Sequence, residues 1–363
     1  MPTLSALRQE LAGRGFDAKP TALVVIQLGC HVASSLAGLI LFFASERIAL
    51  QALGLLVSTV GSTGVGTNTH TSSHYGTSQR RWLNEALTYF GYPFFLGLSA
   101  TFWWHKHVIV HHPAPNVIGV DEDADFMPWL ALTTQDISEL RGWRRFYYER
   151  CQWALFPVIL AGNGFSMAVS GWRHLLRCLA HSDRRSARHW VDLGCLVAHL
   201  AANLALPTLF VPFPEAAGAY VLRITLMGYA LFAVLGPGHL PPEAARLTPS
   251  HKNADYVLRQ TATTVNFRPG RLGALVCSGL QYQMEHHLFP HVSHVHYPAM
   301  SVIVRDFCQR HGLPYRSYTW PVALWKCWQT MIRPNGILDD VEALRQSAEI
   351  GGAGVSVSEK LRR

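Results

Sequence analysis

Hydrophobic and polar positions along this chain fall into long blocks and do not alternate. No Asp, Glu, Lys or Arg lies between Lys19 and Glu46, between Arg47 and Arg80, or between Asp192 and Glu215. As helices rising 1.5 Å per residue, runs of this length cross a hydrocarbon layer of about 30 Å. The pattern predicts apolar segments over 21–45 and 48–66, joined by a Glu46-Arg47 turn, and a second pair over 191–213 and 216–236 around a Pro-Phe-Pro turn. Two further apolar stretches, 86–104 and 151–172, are flanked by polar sequence.

Parity decides how these stretches fit together. Histidines cluster after the second segment, after 86–104, after the last segment and near 286. To meet at one site they must lie on one side of the bilayer. Two transmembrane hairpins achieve this if 86–104 and 151–172 lie in the interface or re-enter it without crossing. The expected fold is therefore all-α and membrane-integral, with two helical hairpins carrying a cytosolic, histidine-rich helical domain. The expected organisation is an N-terminal cytosolic segment over 1–20, one membrane domain over 21–335 and a tail over 336–363. That tail has helical periodicity, then a Gly/Ser-rich end.

Composition supports the membrane reading. Of 363 residues, 49% are hydrophobic and only 15% charged, where soluble domains carry nearer a quarter. The net charge of +8 arises from short basic loops such as 141–150 and 173–188, as the positive-inside bias expects. No extended basic face interleaved with aromatics is present, so nucleic acid is not an expected partner. The seven scattered cysteines read as reduced, packed thiols. The first twenty residues are too polar for a secretory signal. The Ala- and Arg-rich composition suggests a GC-rich bacterium, and hence an inner membrane.

The histidines carry the chemistry. His70 and His74 are four apart, which on a helix places both rings on one face. The run Trp103-Trp104-His105-Lys106-His107 continues to His111-His112, where His107 and His111 share a face and His112 points to an adjacent one. The two tryptophans fit an interfacial aromatic belt. The third cluster reads Gln283-Met-Glu285-His286-His287, followed by His291, His294 and His296. Adjacent histidines diverge by about 100° on a helix, which suits two ions better than one. His239, in Gly-Pro-Gly-His at the end of the last apolar segment, is a fourth contribution. Eight imidazoles exceed what one zinc needs and imply two metals. Ligand type alone leaves iron, zinc and copper open; long apolar walls favour iron for oxygen chemistry on a lipid-like substrate. Asn116, Asp121, Asp123, Asp125 and Glu285 are candidates for orienting the rings. His31 and His199, within the apolar segments, read as hydrogen-bonded core residues.

These motifs resemble the membrane fatty acid desaturases over roughly residues 20–320. QMEHHLFP, with Gln283 ahead of His286 and His287, is similar to the front-end and sphingolipid desaturase pattern. So are QTATTVNF (260–267), SGLQ (278–281) and HHPAPNVIGVDEDADF after the second box. The resemblance implies a di-iron centre held by His70, His74, His107, His111, His112, His286, His287 and His239, with Gln283 in or beside the ligand set. It implies dioxygen as co-substrate and a fatty-acyl substrate on a lipid, coenzyme A or a carrier protein. No HPGG haem motif occurs in the sequence, so a separate ferredoxin or cytochrome b5 with its reductase is the expected electron donor. One departure matters: the second box is HxxxHH, where front-end desaturases have HxxHH. Membrane alkane hydroxylases resemble this chain in that spacing, which makes acyl hydroxylation the rival outcome. A non-catalytic metal-binding membrane protein is the reading from a different class.

Overall fold

The computed structural model describes residues 4–250 and 255–338; the expected tail beyond Leu338 lies outside the described residues. The chain is overwhelmingly helical. Among the described residues, four helices are long and apolar enough to cross a membrane: Thr21–Ala44, Ile48–Ser73, Ala187–Leu209 and Phe213–His239. They match the four charge-poor segments, with one instructive extension. The second span continues past Gly66 through the polar run up to Ser73, carrying His70 on the same helix. That stretch stays helical and buried because its hydroxyls are satisfied, Ser73 by the His70 carbonyl and Thr67 and Thr71 by Val276 O and His294 across the packing. The turns before it are satisfied within the helix. Thr59, Thr63 and Thr69 each donate to the carbonyl four residues back at 2.8 Å.

The first two spans form a hairpin whose seam is made of small residues. A Cβ placed on Gly38 would sit 2.3 Å from the Ser58 nitrogen, and one on Gly61 would sit 2.4 Å from the Ser35 nitrogen. Ser35 Oγ adds hydrogen bonds to Ser62 at 2.9 Å and Ser58 at 3.3 Å. Between apolar helices, close backbone approach and such bonds supply the association that hydrophobicity cannot.

The two remaining apolar stretches are broken. Residues 86–104 pass from Arg81–Tyr89 into a wide π-turn, Phe90–Leu96, that contains Pro93 and ends at left-handed Gly97; Ala100–Trp103 then starts afresh. The ring of Pro93 and its missing N–H account for the break. Helices Gly142–Ala161 and Asn163–Ala180 bend by 62° at Gly162, as a broken span or re-entrant pair would.

The histidine-bearing end is capped by short helices, among them Tyr256–Thr263, Gln283–Leu288 and Tyr297–Arg310. The N-terminal helix Leu4–Leu11 docks there, burying Leu7 with Met284, Leu288, Met300 and Phe307 in one apolar cluster. The fold departs from purely α in two short parallel pairs: Arg246–Leu247 with Ile337–Leu338, and Asn266–Arg268 with Ser317–Thr319. These tie distant loops around the cap. His199 is the hydrogen-bonded core residue expected, with Phe94 O at 2.9 Å and Tyr220 Oη at 3.0 Å. His31 is buried against Gly64 and meets the Leu275 backbone.

Replacing Gly61 with Val should force the hairpin seam apart and cost at least ~1–3 kcal/mol, the usual penalty of overpacking. Thermal unfolding of the detergent-solubilised protein should show a clearly lower Tm. An unchanged Tm would mean the seam is looser than described.

Candidate metal centre

Each histidine cluster arrives on its own element. His70 lies in the last turn of the second span and His74 caps it, with ring centroids 4.9 Å apart. His286 and His287 sit on Gln283–Leu288, and His239 ends the fourth span. The rings converge as two groups whose ligand atoms lie within 4.8 Å of one another: His70, His74, His107, His112 and His286, and beside them His111, His239 and His287. The adjacent pairs 111/112 and 286/287 divide between the groups, as their angular divergence on a helix requires.

The second box adopts an unexpected backbone. Trp104–His111 is π-helical, and the His112 N–H donates to the His107 carbonyl, five residues back, at 3.1 Å. A π-turn holds one residue more than an α-turn. Residues i, i+4 and i+5 therefore stand where i, i+3 and i+4 stand on an α-helix. The extra residue of HxxxHH is absorbed by the backbone, and the wider spacing carries no weight for hydroxylation. Trp103 and Trp104 are not free belt residues. Their indole N–H groups donate to Ser73 Oγ at 3.2 Å and Ser73 O at 3.1 Å, and Trp103 stacks on His107. They bind the first box to the second.

The nitrogens face inward with too few protons to satisfy them. His70 Nε2 lies 2.8 Å from His107 Nε2, which is 3.2 Å from His112 Nε2; His239 and His287 meet at 3.1 Å. Among the described residues, the Nε2 atoms of His74 and His286 are buried without a partner. Two imidazole nitrogens bound at about 2.0–2.1 Å to one ion, at right angles, would stand about 3 Å apart. Burial and neighbouring rings hold His112, His286 and His287 well below the usual histidine range, and burial brings His107 down to about 4. These rings are neutral at pH 7, with lone pairs available. A buried set of this kind could hold metal, and it fits a borderline transition ion such as iron.

The groups behind the rings fix their tautomers. Asp121 Oδ2 accepts from His111 Nδ1 at 2.9 Å and from the Asn116 N–H at 2.8 Å. Burial opposes charge on His111, but the Asp121 carboxylate outweighs it and raises the ring's pKa. Asn116 Nδ2 reaches the His239 carbonyl at 3.1 Å. Asp123 is held by Lys106 at 2.8 Å and stands 3.8 Å from the Nδ1 atoms of both His107 and His111. Sequence reasoning missed Gln260 and Tyr297. Gln260 accepts from His287 Nδ1 at 3.1 Å and donates to the His112 carbonyl at 2.9 Å; Tyr297 Oη is 3.3 Å from His286 Nδ1. Gln260 opens the quoted QTATTVNF stretch, so a signal was present without a reason to read it.

Other expectations need correcting. Glu285 orients no imidazole: it points away, accepting from Asn266 at 2.8 Å and Tyr315 at 2.9 Å, because its neighbours His286 and His287 take the inward face. Burial raises its carboxyl to about 7. Asp125 accepts from the Met127 N–H at 3.0 Å and serves the loop. Gln283 packs against Gly238, beside His239, and lines the adjoining cavity. His294 joins Thr71 at 2.7 Å and Gln27 at 3.0 Å, away from the cluster, and His296 bonds the Ala18 carbonyl. The His291 carbonyl accepts from Lys19.

A cavity of about 730 Å³ opens from the rings of His70, His107, His111 and His239. Phe156, Leu160, Phe232 and Leu235 give it apolar walls, while Lys106, Asp123 and Arg173 supply polar lining. This is the size and character of a small-molecule site.

A helical membrane protein with a buried polyhistidine centre and an apolar cavity is the class these observations define. The chain belongs to the fatty acid desaturase family, whose model matches residues 47–319. It is 27% identical over 286 residues to the sn-1 linoleoyl-lipid 6-desaturase of Arthrospira platensis, covering 75% of this chain and 74% of that one. To the Delta(5) fatty acid desaturase fat-4 of Caenorhabditis elegans it is 26% identical, over 70% of this chain and 57% of the relative. To the chloroplastic acyl-lipid (7-3)-desaturase of Chlamydomonas reinhardtii it is 30% identical, over 61% and 44% respectively.

Gln260→Leu removes one hydrogen-bond partner from each of two facing elements and should weaken metal affinity about 10–100-fold. Metal content after dialysis against a graded chelator series measures this. Wild-type retention would show that Gln260 plays no part in orienting His287.

Proposed function

We propose that this protein is an oxygen-dependent fatty-acyl desaturase with a di-iron centre held by His70, His74, His107, His111, His112, His239, His286 and His287. The observation carrying this reading is the convergence of eight largely buried imidazoles, in two groups, at the head of an apolar cavity. Two irons bound there would supply dioxygen activation and the removal of two hydrogens from an unactivated acyl segment. The overall balance is one saturated CH2–CH2 unit, O2, two electrons and two protons giving one CH=CH unit and two waters. The electrons come from a ferredoxin or cytochrome b5 with its reductase.

The protein's own residues do the positioning. Asp121 and Gln260 hold His111 and His287 with Nδ1 protonated, so that Nε2 faces inward. The Phe156, Leu160 and Phe232 walls bury the acyl chain and exclude water from the reacting segment. Lys106 and Arg173 offer cationic partners for a phosphate or carboxylate on the acyl carrier. An acyl-lipid carrier is favoured, because the Arthrospira and Chlamydomonas relatives are named for acyl lipids. In this reading residues 21–335 form the catalytic domain, and two hairpins return the histidines to the cytoplasmic face of a bacterial inner membrane. Hydroxylation is disfavoured by the absorbed spacing at His107 and by the names of the relatives.

His286→Ala and His111→Ala should each lose bound iron and all turnover. Mass spectrometry of lipids from a host making the wild-type protein should show acyl chains lacking two hydrogens. Chains gaining one oxygen instead, or turnover retained in either variant, would overturn the assignment.

A further inference from the structure

A separate donor set lies outside the polyhistidine centre. His174, Cys178 and His189 bring one ligand atom each to within 4.8 Å of one another, all three half-buried. His174 and Cys178 are four apart on Asn163–Ala180 and so share a face; His189 comes from the first turn of Ala187–Leu200, across the loop between the two helices. His174 Nε2 and Cys178 Sγ are 3.6 Å apart. In a tetrahedral zinc site, with Zn–S of about 2.3 Å and Zn–N of about 2.0–2.1 Å, sulfur and nitrogen ligands stand about 3.6 Å apart.

The elements bearing these ligands are already fixed. Asp192, three residues beyond His189, is fully buried and accepts from Ser99 Oγ at 2.7 Å and from the Ala100 and Thr101 N–H groups at 3.1 and 2.9 Å. The following turn carries Phe102 and His105, whose rings flank His174 at 5.4 and 5.2 Å. Ser186 lies against His189, its N–H 3.0 Å and its Oγ 3.1 Å from Nδ1. The Ser186 N–H donates to Nδ1, so ligation through Nε2 moves the ring proton to Nδ1, where Ser186 Oγ accepts it in place of that bond.

We propose that His174, Cys178 and His189, with one water, bind a single zinc-class divalent ion. A thiolate with two imidazoles suits such an ion better than the hard cations. Binding releases the Cys178 thiol proton as the sulfur–metal bond forms. The ion staples the basic loop between the bent helix pair and the third span. Because Arg173 lines the cavity and directly precedes His174, the staple also fixes the cationic side of that cavity.

Cobalt(II) added to the full-length, iron-loaded protein in detergent provides the test. A thiolate ligand gives a near-ultraviolet sulfur-to-cobalt charge-transfer band that an all-imidazole centre cannot produce. The band should appear with the wild type, be lost in Cys178→Ser, and require about tenfold or more cobalt in His189→Ala, with iron content unchanged in both variants. Zinc should displace cobalt and slow alkylation of Cys178. Absence of the band in the wild type, or its persistence in Cys178→Ser, overturns the site. Neither result bears on the desaturase reading, which rests on other residues.

Discussion

The convergence of neutral imidazoles is the constraint on which this fold depends. Burying so many polar rings costs free energy unless their nitrogens find partners. Here the Nδ1 side is partly met by Asp121, Gln260 and Tyr297, while Nε2 atoms point at one another or, among the described residues, have no partner. Such an arrangement is sustained by packing around it. The capping helices, the two parallel strand pairs and the docked N-terminal helix all hold the four histidine-bearing elements together.

The second span shows how a membrane helix delivers polar groups to such a site. Its first half is apolar and its second half is Thr-, Ser- and Gly-rich, yet the helix is continuous. Hydroxyls return to their own helix carbonyls, and glycines admit the first span to backbone contact. His70 then sits deep inside the protein at the end of a polar stretch that is largely hydrogen-bonded. The Ser73 bonds from Trp103 and Trp104 carry that rigidity into the second box.

The π-turn at Trp104–His111 links sequence spacing to chemistry. Read as an α-helix, HxxxHH misplaces His107 relative to the desaturase pattern. Read as a π-turn, it restores the same three directions. The backbone thus compensates for one additional residue, and the cavity wall that Phe102, Trp103 and Lys106 provide continues into the histidine face.

Several features were legible in the sequence because they are local. Charge-free or charge-poor runs of helical length identified the four apolar helices, histidine spacing identified three clusters, and the need for a common side added His239. Which partner each ring takes was not legible, because that depends on elements far apart in the chain. Gln260 meets His287 and His112 only through tertiary packing, and Glu285 turns outward because two neighbouring histidines claim the inner face. The backbone of the second box was hidden for a related reason. Residue spacing fixes direction only once the helix type is known, and here the helix is π. The sequence by itself determined the histidine clusters and the apolar helices, because both are local patterns; the tertiary structure alone decided how eight imidazoles divide into two groups, because their elements are far apart in the chain.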